Sequence, residues 1–195
     1  MYKLIAHRGD KESSKENTMA AFFDAINKDY VGFECDVRQS KEGDFFIYHD
    51  VLYQGKIFRK MNSNTLIKNK VPKLTNVLMI NTSKIILLDI KDPLINTDNL
   101  IKILNKYSTK NIYVMSFYDN VINKLLIKDR KYKIGILNYI LNTQDNHFNY
   151  DFICLLQIFA STKMIDKFRQ QKKEVFIYGV KNEQINNYFP YYIVD

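Results

Sequence analysis

The fold of this chain is constrained most by a repeated alternation between short apolar segments and amphipathic segments of helical spacing. Apolar residues recur every three or four positions in the amphipathic segments, a spacing typical of helices with one buried face. The short apolar segments between them are typical of buried strands. The expected strands are 3–6, 30–37, 85–90, 111–116, 133–138, 151–157, 175–180 and 191–194. The expected helices are 17–28, 72–80, 97–107, 119–128, 161–172 and 183–189.

Eight strands that alternate with helices predict a parallel sheet closed into a (β/α)8 TIM barrel. Barrels of this kind usually have about 250 residues, and about 200 is the lower end of their range. With 195 residues, the chain is expected to form a compact α/β barrel with short loops, as a single domain over residues 1–195.

One connection breaks the alternation. Only seven residues separate the strand that ends at Val37 from the apolar segment that starts at Phe45. A parallel crossover needs a dozen or more residues, so this connection must be a β-hairpin above the C-terminal rim of the barrel. A turn centred on Glu42 and Gly43 would place Asp36 opposite His49.

Composition and charge exclude several classes of protein. Hydrophobic residues make up 46% of the chain, which excludes disorder. The two cysteines, Cys35 and Cys154, are too few for a disulfide framework and are expected to be free thiols.

We predict a cytoplasmic protein, because the sequence shows neither a signal peptide nor a transmembrane segment. The net charge of +8 comes mainly from scattered lysines, so we expect no nucleic-acid partner, while peripheral contact with a membrane stays open. The oligomeric state is left undetermined.

Charged residues and histidines lie at or just after the C-terminal ends of several predicted strands, where the active sites of barrels lie. Glu34 and Asp36 stand at alternate positions and point to one side of their strand, opposite to Cys35, and therefore into the barrel. Asp89 and Lys91 stand two apart at the end of a later strand. The remaining candidates are His7 and Arg8 after the first strand, and His49 on the hairpin.

These residue types point to phosphodiester hydrolysis. Three carboxylates, Glu34, Asp36 and Asp89, suit one hard divalent cation such as Mg²⁺ or Ca²⁺, with Mn²⁺ as a further candidate. Arg8 and Lys91 would bind phosphate, and two histidines would act as general acid and base. Each part also has a structural interpretation: a solvated carboxylate pair, an ion pair between Asp89 and Lys91, or hydrogen-bonded structural histidines. The convergence of all the groups on one rim favours the catalytic interpretation.

An ordered set of short motifs runs through essentially the whole chain. The motifs are Ala6-His7-Arg8-Gly9, Glu16-Asn17-Thr18, Ala21-Phe22, Ala25, Gly32, Glu34-Cys35-Asp36-Val37, Lys41-Glu42-Gly43, His49-Asp50, Val71-Pro72-Lys73-Leu74, Leu88-Asp89-Ile90-Lys91 and Ser116-Phe117. Together they resemble the motifs of the glycerophosphodiester phosphodiesterase family, among the phosphatidylinositol-phospholipase-C-like TIM barrel phosphodiesterases.

The resemblance implies hydrolysis of small glycerophosphodiesters, in lipid metabolism, to glycerol phosphate and an alcohol such as choline, ethanolamine or inositol. It implies that His7 and His49 are catalytic, that Glu34, Asp36 and Asp89 are magnesium or calcium ligands, and that Arg8 and Lys91 contact the phosphate. Supporting roles around the pocket are implied for Glu16, Asn17, Phe117 and Tyr178. His147 lies outside every motif and is predicted to be a surface residue.

Three departures from the family pattern keep alternatives open. Asp89 stands where the family usually has Glu, and Lys15 stands where it has Pro. The segment between His49 and Pro72 is shorter than in many members, which predicts a more open pocket. The alternatives are a lysophospholipase D or sphingomyelinase D-like enzyme acting on lipids, and a catalytically weakened module that binds phosphate.

Overall fold

The sheet of the computed structural model is a closed ring of eight parallel strands, as the alternation predicts. The structure describes residues 2–107, 111–127, 129–138, 149–180, 185, 188 and 191–195. The ring closes because β1 pairs in parallel with both β2 and the last strand, β11. The eight strands, in their order around the ring, are β1 (Lys3–Ala6), β2 (Gly32–Gln39), β6 (Ile85–Ile90), β7 (Ile112–Ser116), β8 (Lys133–Asn138), β9 (Phe152–Leu156), β10 (Glu174–Tyr178) and β11 (Tyr191–Val194).

Among the described residues, helices occupy five of the connections between consecutive barrel strands. Four of them begin at a side chain that accepts a hydrogen bond from the first turn, which offsets the unpaired N–H groups there; these side chains are Thr18, Asn62, Asn96 and Ser161. The predicted helix at 183–189 and the predicted surface residue His147 lie outside the described residues. The helices are α1 (Met19–Asn27), α2 (Ser63–Lys68), α3 (Leu74–Leu78), α4 (Thr97–Lys106), α5 (Asp119–Leu125) and α6 (Thr162–Gln170).

Two apolar layers hold the barrel together. Alternate residues of each strand point inward or outward, so Phe33 and Cys35 pack against the helices while Cys154 lies among the residues that fill the interior. Both cysteines are free and buried, as predicted, and burial raises the pKa of each thiol well above its ordinary value. Among the described residues, no helix is long and apolar enough to cross a bilayer.

The predicted hairpin after β2 is present, but its expected register is wrong by one residue. β2 pairs antiparallel with β3 (Phe45–Ile47) so that Val37 faces Ile47, and the N–H of Tyr48 donates to the carbonyl of Asp36 (2.9 Å). Tyr48, and not His49, is therefore opposite Asp36. The loop has three residues rather than two, because Gly43 has a φ of +94°, a conformation that favours glycine and adds one residue to the turn.

The segment between β3 and α3 forms a second, smaller hairpin followed by α2. This hairpin consists of β4 (Leu52–Tyr53) and β5 (Lys56–Ile57), and a 3₁₀ turn, Phe58–Lys60, follows it. Phe58 is buried and stacks on Tyr48, with ring centroids 5.0 Å apart. The segment is thereby attached to the rim of the barrel next to β3.

Candidate active site

Three buried carboxylates lie together at the C-terminal end of the barrel. Asp36 on β2 and Asp89 on β6 are directly paired in the sheet, and Glu34 lies two positions earlier on β2. One oxygen of each carboxylate falls within 4.8 Å of the corresponding oxygens of the other two. The structure thus brings together the three residues that the sequence predicts as metal ligands.

Two cations compensate part of this negative charge. Nε of Arg8 lies 3.2 Å from Asp36 Oδ2, and Nζ of Lys91 lies 2.5 Å from Asp89 Oδ2 and 3.4 Å from Asp36 Oδ1. Burial opposes the charged form of Lys91, but the carboxylates of Asp89 and Asp36 raise its pKa overall. Arg8 and Lys91, expected to bind phosphate, therefore contact the carboxylate cluster in this structure.

The three carboxylates have the charge and the oxygen atoms needed to bind a further cation. Burial raises the pKa of Asp89 to about 6, and burial together with the charges of Asp36 and Asp89 raises that of Glu34 well above its ordinary value. Asp36 Oδ1 and Asp89 Oδ1 are buried and accept no hydrogen bond from the part of the chain that the structure describes. Buried carboxylate oxygens need a partner, and oxygen ligands suit Mg²⁺, Ca²⁺ or Mn²⁺, so the residues present fit a divalent cation.

The loop after β1 wraps around the carboxylates through an unusual backbone conformation. Arg8 (φ +60°) and Gly9 (φ +82°) are both left-handed, and this turns the N–H of Arg8 toward Glu34 Oε2 at 2.9 Å. A Cβ atom on Gly9 would lie only 2.7 Å from the backbone carbon of Ala21. The glycine of the His-Arg-Gly motif is thus required both for its φ and for the close approach of α1.

Glu16 and Asn17 support this loop from its other end. Both carboxylate oxygens of Glu16 accept from Arg8 Nη1, at 3.0 and 3.1 Å. Asn17 Nδ2 donates to Asp36 Oδ2 at 2.7 Å, and Asn17 Oδ1 accepts from the N–H of Asp36 at 3.2 Å. Asn17 has a φ of +55°, which asparagine tolerates better than most residues. The Glu-Asn pair therefore orients one cation and one carboxylate of the site.

Each of the two candidate histidines is held by a carboxylate at Nδ1. His7 Nδ1 lies 2.6 Å from Asp195 Oδ1, and His49 Nδ1 lies 2.8 Å from Asp50 Oδ1. Because an ionised carboxylate only accepts, Nδ1 carries the proton in both rings and Nε2 is left for other contacts. Burial lowers the pKa of His7 below 6.5, although Asp195 opposes that effect.

The comparisons with known proteins agree with this geometry. Residues 7–195 match the model of the glycerophosphoryl diester phosphodiesterase family. The chain belongs to this family. A glycerophosphodiester phosphodiesterase of Bacillus altitudinis is 39% identical over 69 residues, which are 35% of this chain and 26% of that protein. One from Caldanaerobacter subterraneus subsp. tengcongensis is 45% identical over 47 residues, 24% of this chain and 19% of that protein. The aligned segments thus span about a quarter or less of these two relatives.

Solved structures of phosphodiesterases share the fold. The glycerophosphodiester phosphodiesterase of Thermotoga maritima superposes with a TM-score of 0.80 at 22% identity, covering 99% of this chain and 94% of that one. A phosphodiesterase from Oleispira antarctica, in complex with the product sn-glycerol-3-phosphate, gives a TM-score of 0.82 at 16% identity, with coverages of 93% and 85%. At these identities the superpositions establish the TIM barrel fold.

Two aromatic residues lie at the ends of barrel strands, and both were predicted to line the pocket of this family member. Phe117 directly follows β7, with its ring centroid 5.8 Å from Lys91 Nζ. Tyr178 ends β10 and packs against the apolar residues inside the barrel. Both positions lie at the C-terminal end of the barrel, as a pocket wall requires.

Two residues that contact this family site were not predicted from the sequence. Arg38 donates from Nε to the carbonyl of His49 (2.8 Å) and from Nη1 to the carbonyl of Lys91 (2.9 Å). Asp195 holds His7 across a separation of 188 residues. Asp195 follows the last strand, which is the sequence signal that could have found it; Arg38 binds backbone carbonyls, which leave no signal in the sequence.

Proposed function

We propose that this chain hydrolyses glycerophosphodiesters to glycerol phosphate and an alcohol, with residues 1–195 acting as one catalytic domain. The proposal is carried by one observation: at the barrel mouth, Glu34, Asp36 and Asp89 form a buried cluster in which two oxygens, Asp36 Oδ1 and Asp89 Oδ1, accept no hydrogen bond from the described residues. The family match over residues 7–195 supports the same reaction, and the glycerol phosphate bound to the Oleispira antarctica phosphodiesterase supports the product class.

A divalent cation would be held by Glu34, Asp36 and Asp89. When bound, it supplies positive charge that stabilises the developing charge of the phosphoryl group. Asp89 supports a retained rather than a weakened site, because its shorter side chain still places an oxygen within 4.8 Å of an oxygen of each of the other two carboxylates. The module interpretation is therefore the less favoured of the alternatives.

Arg8 and Lys91 bring two positive charges to the mouth of the barrel. Glu16 orients the guanidinium of Arg8, and Asp89 orients the ammonium of Lys91. Arginine and lysine beside a mouth of this kind attract the anionic phosphodiester and orient its unesterified oxygens.

The two histidines would transfer protons in the reaction. Nε2 of one ring takes a proton from the nucleophile, either water or the neighbouring hydroxyl of the glycerol, as its oxygen bonds to phosphorus. The bond from phosphorus to the alcohol oxygen breaks, and the second ring donates a proton to that oxygen. Attack by water gives glycerol phosphate directly. Attack by the glycerol hydroxyl gives a cyclic phosphate, which a water molecule then opens to glycerol phosphate with the two rings in exchanged roles. Burial lowers the pKa of His7, which favours the neutral ring and suits it to the base role, and the acid role is then assigned to His49.

The proposal is tested by measuring turnover of glycerophosphocholine and glycerophosphoethanolamine in EDTA, and then with Mg²⁺, Ca²⁺ or Mn²⁺ restored. We expect turnover only with a restored ion, and a loss of about 10²-fold or more in His7→Ala and in His49→Ala. His147→Ala is the matched control, since the third histidine of the chain lies outside every motif. A folded wild-type protein with no turnover under any ion would refute the proposal.

A substrate with an activated leaving group distinguishes the catalytic roles of the two histidines. A glycerophosphodiester of p-nitrophenol needs no general acid, because p-nitrophenolate is a stable anion. If His49 is the acid, His49→Ala should retain much of its turnover on this substrate, while His7→Ala should stay inactive. The reverse pattern would exchange the two assignments.

A further inference from the structure

The small hairpin β4–β5 has one apolar face that the rest of the protein leaves uncovered. Leu52 faces Ile57 and Tyr53 faces Lys56, while Gln54 (φ +48°) and Gly55 (φ +75°) form the two-residue turn. The ring of Tyr53 packs toward the protein, with its centroid 5.2 Å from that of Tyr48 and 6.1 Å from that of Phe58. Because cross-strand partners share a face, Leu52 and Ile57 point away from this contact.

The uncovered face is large for so short a hairpin. The exposed fractions are 59% for Val51, 53% for Leu52 and 44% for Ile57. Tyr53 and Phe58 pack toward the protein from the opposite face, so the fold does not require Leu52 and Ile57 to be apolar. Val51, the neighbour of Leu52, is exposed as well. Contiguous exposed apolar side chains of this kind are typical of surfaces that contact another apolar phase.

The hairpin lies beside the active site. Val51 follows His49 by two residues, and its carbonyl accepts from the N–H of Phe58 (2.8 Å). Further exposed apolar residues lie on other connections at this end of the barrel, including Leu94 (70% exposed) after β6 and Ile158 (75% exposed) after β9. Exposed apolar residues therefore occur on several connections at the end of the barrel that carries the mouth.

The charge of the hairpin segment, residues 51–60, indicates what its uncovered apolar face contacts. Residues 51–60 contain Lys56, Arg59 and Lys60 and no carboxylate, and the whole chain has a net charge of +8. Arg59 is paired with Asp92 (2.6 Å), whereas Lys56 and Lys60 are exposed on the same short segment as Leu52 and Ile57. Apolar side chains flanked by lysines are the combination that binds the interface of anionic membranes.

We propose that the β4–β5 hairpin docks the barrel mouth onto the surface of an anionic phospholipid membrane. Val51, Leu52 and Ile57 enter the interface, and Lys56 and Lys60 contact the negatively charged headgroups. This inference goes beyond the proposed hydrolytic function and does not depend on it. It also places the mouth where a glycerophosphodiester that retains an acyl chain would be available.

Vesicle sedimentation tests the docking. We expect the wild-type protein to bind vesicles of phosphatidylcholine mixed with phosphatidylglycerol more strongly than vesicles of phosphatidylcholine alone. The double variant Leu52→Ser, Ile57→Ser should lose about tenfold or more in binding, and Lys56→Gln about fivefold on the anionic vesicles alone. Met79→Ser, a substitution at an equally exposed apolar residue (62%) on a connection into the opposite end of the barrel, should bind like wild type.

Several outcomes would overturn the proposal. They are no vesicle binding by the wild-type protein, or binding that the double variant retains. A hairpin that instead joins two copies of the chain would give a wild-type dimer by light scattering, a monomeric double variant and no vesicle binding. Hydrolysis of soluble glycerophosphocholine, measured separately, decides the proposed function, so the two failures are distinguishable.

Discussion

The carboxylate of Asp195 accepts a hydrogen bond from His7 Nδ1 at 2.6 Å and joins the last strand of the barrel to the first. The same carboxylate contacts Lys11, and it raises the pKa of His7 against the lowering effect of burial. Asp195, although distant in sequence, therefore both orients the imidazole of His7 and raises its pKa.

We expect Asp195→Asn to lower kcat/KM by about 10- to 100-fold, because the amide no longer selects the tautomer with a free Nε2. A base must be neutral, so activity rises with pH through the pKa of His7, which lies below 6.5. Loss of the carboxylate lowers that pKa further, so the acidic limb of the pH profile should move to lower pH. Lys11→Gln is the control and should leave the limb in place. An unmoved limb in Asp195→Asn would contradict the base role of His7.

Arg38 is expected to position His49 and Lys91 through their backbone carbonyls. Arg38→Met should lower kcat by about 10- to 100-fold with a smaller change in KM, since displacements of about 1 Å are enough for such losses. Added guanidinium should restore part of the turnover, and steady-state kinetics measure both effects. Arg130→Met is the matched control, because Arg130 also donates to carbonyls, those of Ile127 and Asn149, at the other end of the barrel. Equal kinetic losses in the two variants would indicate a general structural effect.

Asp89 is expected to contribute directly to cation binding. Asp89→Asn should weaken binding of Mn²⁺ by at least about tenfold in titration calorimetry, because a neutral amide replaces one of three carboxylates. Asp92→Asn removes a buried carboxylate that lies outside the cluster and pairs with Arg59, and it should bind Mn²⁺ as wild type does. Unchanged affinity in Asp89→Asn would remove this residue from the proposed ligand set.

The ion pair between Asp10 and Lys28 is expected to stabilise the fold above acidic pH. Lys28 and the N–H of Glu12 hold the pKa of Asp10 below its ordinary value of 3.8, so its contribution is present above 3.8 and is lost as the pH falls through the lower folded value. Asp10→Asn should therefore lower the melting temperature at pH 7 by about 2–4 °C and have little effect near pH 2. Glu12→Gln removes a more exposed partner of the same lysine and should change little at either pH. A loss that persists at pH 2 would exclude an electrostatic cause.

Local patterns in the sequence predicted the barrel and the carboxylate cluster because both depend on strand periodicity. Glu34 and Asp36 alternate with Phe33 and Cys35, so their inward direction follows from the pleat of a single strand. Patterns of this kind do not specify turn geometry. The Lys41-Glu42-Gly43 turn is compatible with a two- or a three-residue loop, and the structure has the longer one, which shifted the expected partner of Asp36 from His49 to Tyr48.

The sequence by itself determined the order of the eight barrel strands and of the helices α1 and α3 to α6, since these follow from the hydrophobic period. It also determined the residue types at the mouth, since these follow from positions at strand ends. Only the tertiary structure decided which groups meet. Asp195 reaches His7 because closure of the barrel makes the last strand a neighbour of the first, and Arg38 reaches the carbonyls of His49 and Lys91 because the hairpin and β6 converge on the same rim. Contacts between residues distant in sequence, and contacts made to backbone atoms, depend on the closed fold and are not encoded in any local spacing.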